Sequence, residues 1–227
     1  MKNDNYTIPF IVCLILFLVV VPLIGQAQYR PAVDIQEWPM GKIVLTSGDT
    51  IYGPVTYHHT QEIINIQNED GTLSAFSPVN VKYFIVQEQP SGKSTTFRSL
   101  MWDMDRDYSD FKKPTFFEQL NQGGVVLIMR ENYIHTEPEN LSAYSAQGFL
   151  YDPDSYVPGS EWINHIKPLY YLLLPDGEII TLRNVRKDLY QVFGKKGKQV
   201  KKYVKDKRLA YEKPHQLVAI VNYFNSL

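Results

Sequence analysis

The sequence predicts an α+β fold: an antiparallel β-rich roll or partly closed barrel, followed by a β-hairpin and two or three carboxyl-terminal helices. Three observations carry this expectation. Residues 41–86 alternate apolar and polar with a period of two and are cut at short intervals by turn residues. Pro175-Asp176-Gly177 stands between two short apolar runs, a hairpin signature. Beyond Asn184 the apolar spacing changes to i, i+3, i+4, i+7, the period of an amphipathic helix.

In chain order, Met1 to Ala27 reads as a secretory leader. Lys2 gives a weakly positive start, Ile8 to Ile24 is apolar, and Gly25-Gln26-Ala27 places small residues at −3 and −1 of a cleavage site between Ala27 and Gln28. The alternative is an uncleaved membrane anchor formed by residues 8–24, whose length is near the lower limit for a span. Cys13 is the sole cysteine and lies in this run, so cleavage leaves a mature chain with no disulfide, no thiol chemistry and no cysteine–zinc site. The organisation expected is a leader over 1–27, a β-rich body over 28–182, and a helical segment over 183–227 packed on that body.

Gln28 to Met40, with Pro31, Trp38 and Pro39, reads as an extended lead-in with Trp38 packed on the first strand. Ile43 and Leu45 share one face of that strand, and Ser47-Gly48-Asp49 turns the chain back through Ile51, Val55 and Tyr57. Gly53-Pro54 interrupts this return strand, because proline has no N–H for a ladder; the strand is bulged there or lies at an edge. A second hairpin joins Ile64 and Ile66 to Leu73 and Ala75 through Asn68-Glu69-Asp70-Gly71. After Ser77-Pro78-Val79-Asn80, the strand over 81–86 is apolar enough to be covered on both faces.

The pattern Gly-x-Ile-x-Leu-x-x-Gly-Asp-Thr-x-x-Gly over 41–53, with Phe-Ser-Pro-x-x-Val-x-x-Phe over 76–84, resembles a group of uncharacterised exported proteins of Bacteroidetes-type Gram-negative bacteria. The resemblance covers Gly41 to Glu88 and extends to Tyr170 to Leu227. It implies export and a β-rich start, and brings no activity, cofactor or catalytic residue with it.

Further strands are expected over 94–100, 115–120 and 125–130, the last two as a hairpin around Asn121-Gln122-Gly123-Gly124. Glu131 to Pro168 shows little periodicity and reads as a long loop with a short helical turn near Glu161 to Ile166; loops of that length are usually functional or mobile. Leu169–Leu174 and Glu178–Leu182 form the Pro-Asp-Gly hairpin. Asn184 caps a helix that buries Val185, Leu189, Val192 and Phe193 and ends at Gly194. A second helix over 198–207 turns only Val200, Tyr203 and Val204 inward. A third starts at Pro214 and buries Leu217, Ile220, Val221 and Phe224.

Composition is that of an ordinary globular chain, 44% hydrophobic and 21% charged over 227 residues. Charge is unevenly placed. Arg183 to Lys213 holds 12 Lys or Arg against 3 Asp or Glu, a balance of +9, so with the whole chain at −1 the remainder carries −10. Lys195, Lys196, Lys198, Lys201, Lys202 and Lys205 are the candidates for contact with an anionic surface, either phosphate-rich lipid headgroups or an acidic protein. The plainer readings are a solvated helix face and pairing with the acidic body. Nucleic acid is a poor partner for an exported protein.

Asp103, Asp105 and Asp107 have the spacing that begins a calcium loop, but Tyr108 stands where the loop needs glycine and Pro114 where it needs a bidentate glutamate, which favours a solvated polar loop. The five histidines, His58, His59, His135, His165 and His215, form no close-spaced ligand motif. His58 and His59 point to opposite faces of a strand, and His135 alternates with Glu137 and Glu139 if extended. There is no nucleophile elbow, phosphate loop or dinucleotide fingerprint, and no cofactor is expected. The expected function is that of a non-enzymatic envelope or periplasmic binding module. The alternatives are a secreted hydrolase with a composite site in the 131–168 loop, and a factor assisting other exported proteins.

Overall fold

A computed structural model describes residues 34–106, 110–136 and 163–227. The alternating segments form ten strands: β1 (Ile35–Leu45), β2 (Thr50–His58), β3 (Ile63–Gln67), β4 (Leu73–Phe76), β5 (Val81–Gln87), β6 (Ser94–Trp102), β7 (Lys113–Gln119), β8 (Val126–Thr136), β9 (Ile163–Leu173) and β10 (Ile179–Thr181). They make one sheet in the order β10-β9-β8-β7-β6-β5-β1-β2-β3-β4, with each pair of neighbours antiparallel.

The sheet is a partly closed barrel, and one ring contact shows how far it curls. Tyr57 of β2 and Phe116 of β7 are separated in the sheet by β1, β5 and β6. Four strand spacings of about 4.8 Å would hold them about 19 Å apart in a flat sheet. Their ring centroids are 5.7 Å apart. The concave face is therefore the one carrying Tyr57, and Ile43, Val55, Phe84, Phe97 and Phe116 fill it. Phe117, the next residue along, turns to the other face and joins Trp102, Ile128 and Tyr171. A charged clasp ties the curl: Glu62, in the β2–β3 turn, meets Lys113 of β7 at 2.8 Å and Arg130 of β8 at 2.9 Å. The two free edges, β4 and β10, are short, which limits edge-to-edge pairing.

Three helices follow: α1 (Val185–Phe193), α2 (Gly197–Asp206) and α3 (Pro214–Ser226), with a single 3-10 turn between the first two. The Asn184 side chain accepts a hydrogen bond from the Lys187 N–H at 3.1 Å and caps α1, which ends at Gly194. Leu189, Phe193, Val200, Leu217, Ile220 and Val221 are buried with Leu127 of β8 and Leu172 of β9. Met129 packs against the same cluster and lies across from Glu118 of β7, which shares a face with Phe116. The helices thus cover the β8–β9 end of the concave face.

Three local expectations are corrected and one is met. β1 begins at Ile35, so Trp38 and Pro39 are inside the strand rather than in a lead-in, and the register shift between Trp38 and Gly41 falls around Pro39. The Gly53-Pro54 interruption falls where expected: β3 pairs with β2 only from Val55 onward, and Pro54 sits opposite the β1 bulge, where no ladder bond is required of it. The expected long loop is shorter, because β8 runs on to Thr136 and β9 starts at Ile163, in continuous register from Val126↔Leu173 to Thr136↔Ile163. The helical turn near Glu161 to Ile166 is replaced over 163–166 by that strand, whose ladder satisfies the backbone although Lys167-Pro168 breaks the apolar alternation.

Candidate functional site

Between the aromatic filling of the concave face and the helix-covered end lies a cup of about 180 Å³. Trp38 of β1, Tyr57 of β2, Phe97 of β6, and Phe116 and Glu118 of β7 line it, together with His59 and Glu131. The sheet's alternation puts these groups together: Tyr57 with His59, and Phe116 with Glu118, are two residues apart and so share the concave face.

Tyr57 is only 3% exposed. Phe84, Phe97 and Phe116 meet its ring edge-on at 5.6, 5.6 and 5.7 Å. Its hydroxyl makes no hydrogen bond with a described residue, and burial raises its pKa well above the usual phenol range, so it remains protonated. The His59 ring lies 4.1 Å from that of Tyr57, centroid to centroid, and its side chain is 8% exposed. His59 Nδ1 is 3.8 Å from Glu131 Oε2, while Nε2 is buried without a hydrogen-bond partner. Burial lowers the His59 pKa and outweighs the opposing pull of Glu131, so the ring is neutral near pH 7. Glu131 also accepts a short hydrogen bond from the Tyr133 hydroxyl.

Glu118 is half-buried and makes neither a hydrogen bond nor an ion pair with a described residue. Burial raises its pKa against the lowering effect of Lys93, with Glu131 and Glu88 adding to the rise. Of the nearby cations, Arg130 is engaged elsewhere and Lys93 stands toward solvent. Arg130 holds Glu62 and lies over the Trp102 and Phe117 rings at 5.2 and 5.6 Å. Lys93, 65% exposed, stands 3.9 Å from Glu88. No serine or cysteine lines the cup, and its one threonine, Thr95, makes no hydrogen bond to His59. The His59–Glu131 pair therefore has no hydroxyl or thiol nucleophile to activate among the described residues.

The residues singled out from sequence lie elsewhere. Asp103 accepts a hydrogen bond from the Asp105 N–H at 3.0 Å, and Asp105 accepts a short one from the Thr181 hydroxyl, pinning this loop to β10. Asp107 lies outside the described residues. So do Ala27 and Gln28, the 8–24 run, Glu137 and Glu139, and residues 137–162 of the loop assigned to a hydrolase site. The side chains of His135 and His165 are likewise not described. Among the described residues no three His, Cys, Asp or Glu side chains gather as a metal site, and no helix is long and apolar enough to cross a membrane. His58 and His59 do face apart: His58 Nε2 is 3.1 Å from the Asn65 side-chain nitrogen, on the side away from the cup.

The six lysines, Lys195, Lys196, Lys198, Lys201, Lys202 and Lys205, are all exposed, and none forms an ion pair with a described residue. Lys196 lies 5.3 Å over the Phe224 ring. Val200 and Val204 are buried as expected, and half-buried Tyr203 stacks on Tyr223 at 4.0 Å.

The cup itself went unrecognised in the sequence. The readable signal was Glu118, a glutamate two residues from Phe116 on the inward side of a strand. Comparison of the chain with protein-family models, with curated proteins and with solved structures finds no match.

Proposed function

We propose that the chain is an exported, non-enzymatic binding module of the cell envelope whose partly closed barrel receives a small ligand in the cup. The observation that carries this reading is the convergence on one cavity of His59 Nε2, buried without a hydrogen-bond partner, with the Tyr57 hydroxyl and the half-buried Glu118 carboxylate, neither of which bonds to a described residue. A buried polar atom left unpaired costs about 1–3 kcal/mol, and native proteins keep few of them. A ligand that satisfies them gains affinity from that cost. Perturbed titratable groups in a cleft support the same reading.

The test is a fragment screen by NMR on the chain beginning at Gln28. Binding fragments are expected to move the resonances of Trp38, Tyr57 and His59 together, and Tyr57→Phe to weaken them. A chemically diverse screen that leaves these resonances still would refute the reading. Export rests on the leader over 1–27 and on the resemblance of residues 41–88 to exported proteins. Amino-terminal sequencing is expected to begin at Gln28, whereas retained Met1 would point to an anchor over 8–24.

A second surface is favoured by a separate observation, the six exposed lysines of the 3-10 turn and α2 that pair with no described residue. They fit an anionic surface, which would hold the module at the envelope.

A further inference from the structure

We infer that the ligand of the cup carries a positively charged nitrogen group, an alkylammonium or guanidinium, either as a small free amine or as the end of a lysine or arginine side chain. This rests on the cup being a binding site and names its chemistry.

A neutral His59 that keeps its proton on Nδ1, the nitrogen 3.8 Å from Glu131 Oε2, presents the unpartnered Nε2 as an acceptor. Glu118 and Glu131 add carboxylate oxygens, and the Tyr57 hydroxyl can turn either way. Glu88, Glu118 and Glu131 give the cup three carboxylates against two cationic side chains, Lys93 and Arg130, and Gln36 and Thr95 add neutral donors, so the lining is net negative. Ammonium and guanidinium groups have the inverse character: several N–H donors and no acceptor. An anion would meet three carboxylates, while Arg130 is held by Glu62 and Lys93, 65% exposed, stands toward solvent.

The walls give the same answer. Trp38, Tyr57, Phe97 and Phe116 present aromatic surface around the carboxylates, and ring faces attract cations. Size narrows the class further. A volume of about 180 Å³ is below the range of pockets for drug-sized ligands, roughly 300–1,000 Å³. It suits a short alkyl chain with one charged end. Seating a cation beside Glu118 would also oppose the effect of burial on that carboxyl and draw it into its ionised form.

The test titrates the chain beginning at Gln28 with butylammonium and butylguanidinium, against butyramide as a neutral isostere and butyrate as an anionic one. Calorimetry would report affinity, and the Trp38 and Tyr57 resonances would report location. Either cation is expected to bind at least tenfold more tightly than both isosteres. Glu118→Gln, which keeps the shape and removes the charge, is expected to erase most of that preference. Glu131→Gln is a second variant that reads the same charge should the first not fold. Equal binding of butyramide, or an unchanged preference in both variants, would overturn the cationic class while leaving the cup as a site. Silence of the cup resonances to every probe would overturn both. A peptide with one free lysine, compared with its acetylated form, separates the sources. Binding of the free-lysine peptide alone, without butylammonium, assigns the cation to a protein partner. Binding of butylammonium with no binding of the free-lysine peptide assigns it to a small amine. Equal binding of both peptides removes the cationic class.

Discussion

Glu118 and His59 share a cavity and are shifted in opposite senses by burial, so each leaves its own mark on stability against pH. Glu118 has its folded pKa raised, which means the folded chain binds that proton more tightly than the unfolded one. Its contribution is full below the unfolded carboxyl range and is lost as pH rises through the folded value. The groups facing it are Lys93, Glu131 and Glu88, and only Lys93 opposes the shift. Near pH 7 Glu118→Gln should therefore raise the melting temperature. The gain should shrink as pH is lowered toward the carboxyl range. His59 has its folded pKa lowered, so its contribution is present above the unfolded histidine value and is lost as pH falls through the folded one. Glu131 and Asp34 oppose that shift and Arg130 adds to it. A thermal scan from pH 7 to pH 5 should show a loss of stability that His59→Gln abolishes; equal losses in both proteins would refute the assignment. Stabilisation by Glu118→Gln with loss of binding is the trade-off expected where a site keeps a costly charge for its ligand. The sequence showed that His58 and His59 face apart, since that follows from strand alternation alone. It did not show that His59 meets Glu131, because that contact depends on the curl of the whole sheet.

Among the elements, the separation along the chain decided what could be read. The hairpins, the Asn184 cap, the end of α1 at Gly194 and the Pro214 start of α3 are local events, and all were legible. The docking of α3 was not. Asn225 accepts from the Val125 N–H at 2.9 Å and donates to the Val125 carbonyl at 2.8 Å, in the manner of a strand neighbour, across 100 residues of chain. Asn222 accepts from Asn121 at 2.8 Å, and Asn121 in turn accepts from the Leu127 N–H at 2.6 Å. Gly123 belongs to the same fit, because an added Cβ would run into the Asn225 carboxamide. The sequence read 121–124 only as a turn. Asn225→Ala leaves both backbone groups of Val125 without this partner and should cost about 2–3 kcal/mol. Denaturant melts should show a lower midpoint with an unchanged slope. The Glu62 clasp is the other long-range lock. Glu62 is buried and Arg130 partly so, hence Arg130→Met should cost about 2–3 kcal/mol, below the 3–5 kcal/mol of a fully buried broken pair because Lys113 still reaches Glu62. A cost within experimental error would mean that the aromatic packing of the curl suffices without the charges.

Over the whole molecule, charge is segregated: +9 over 183–213 against −10 over the remainder. The lysines of α2 stand on a helix whose buried contacts are Gly197, Val200 and Val204, and they form no ion pair with a described residue. Pairing within the molecule therefore does not quench this face among the described residues, and its field extends to about a Debye length, roughly 8–10 Å at physiological salt. Each lysine near an anionic bilayer contributes about 1 kcal/mol, so changing Lys198, Lys201 and Lys205 to glutamine should weaken binding on the order of a hundredfold. The chain beginning at Gln28 is expected to co-float with anionic vesicles at low salt, to leave them at high salt, and to ignore neutral vesicles. Because α2 carries these lysines on its solvent side, the triple variant should keep the melting temperature of the parent while losing the vesicles. Co-flotation undiminished in that variant would move the contact to another part of the chain. No co-flotation of the parent at low salt would leave the lysines as the solvated side of a thin helix, since added salt can only weaken such a contact.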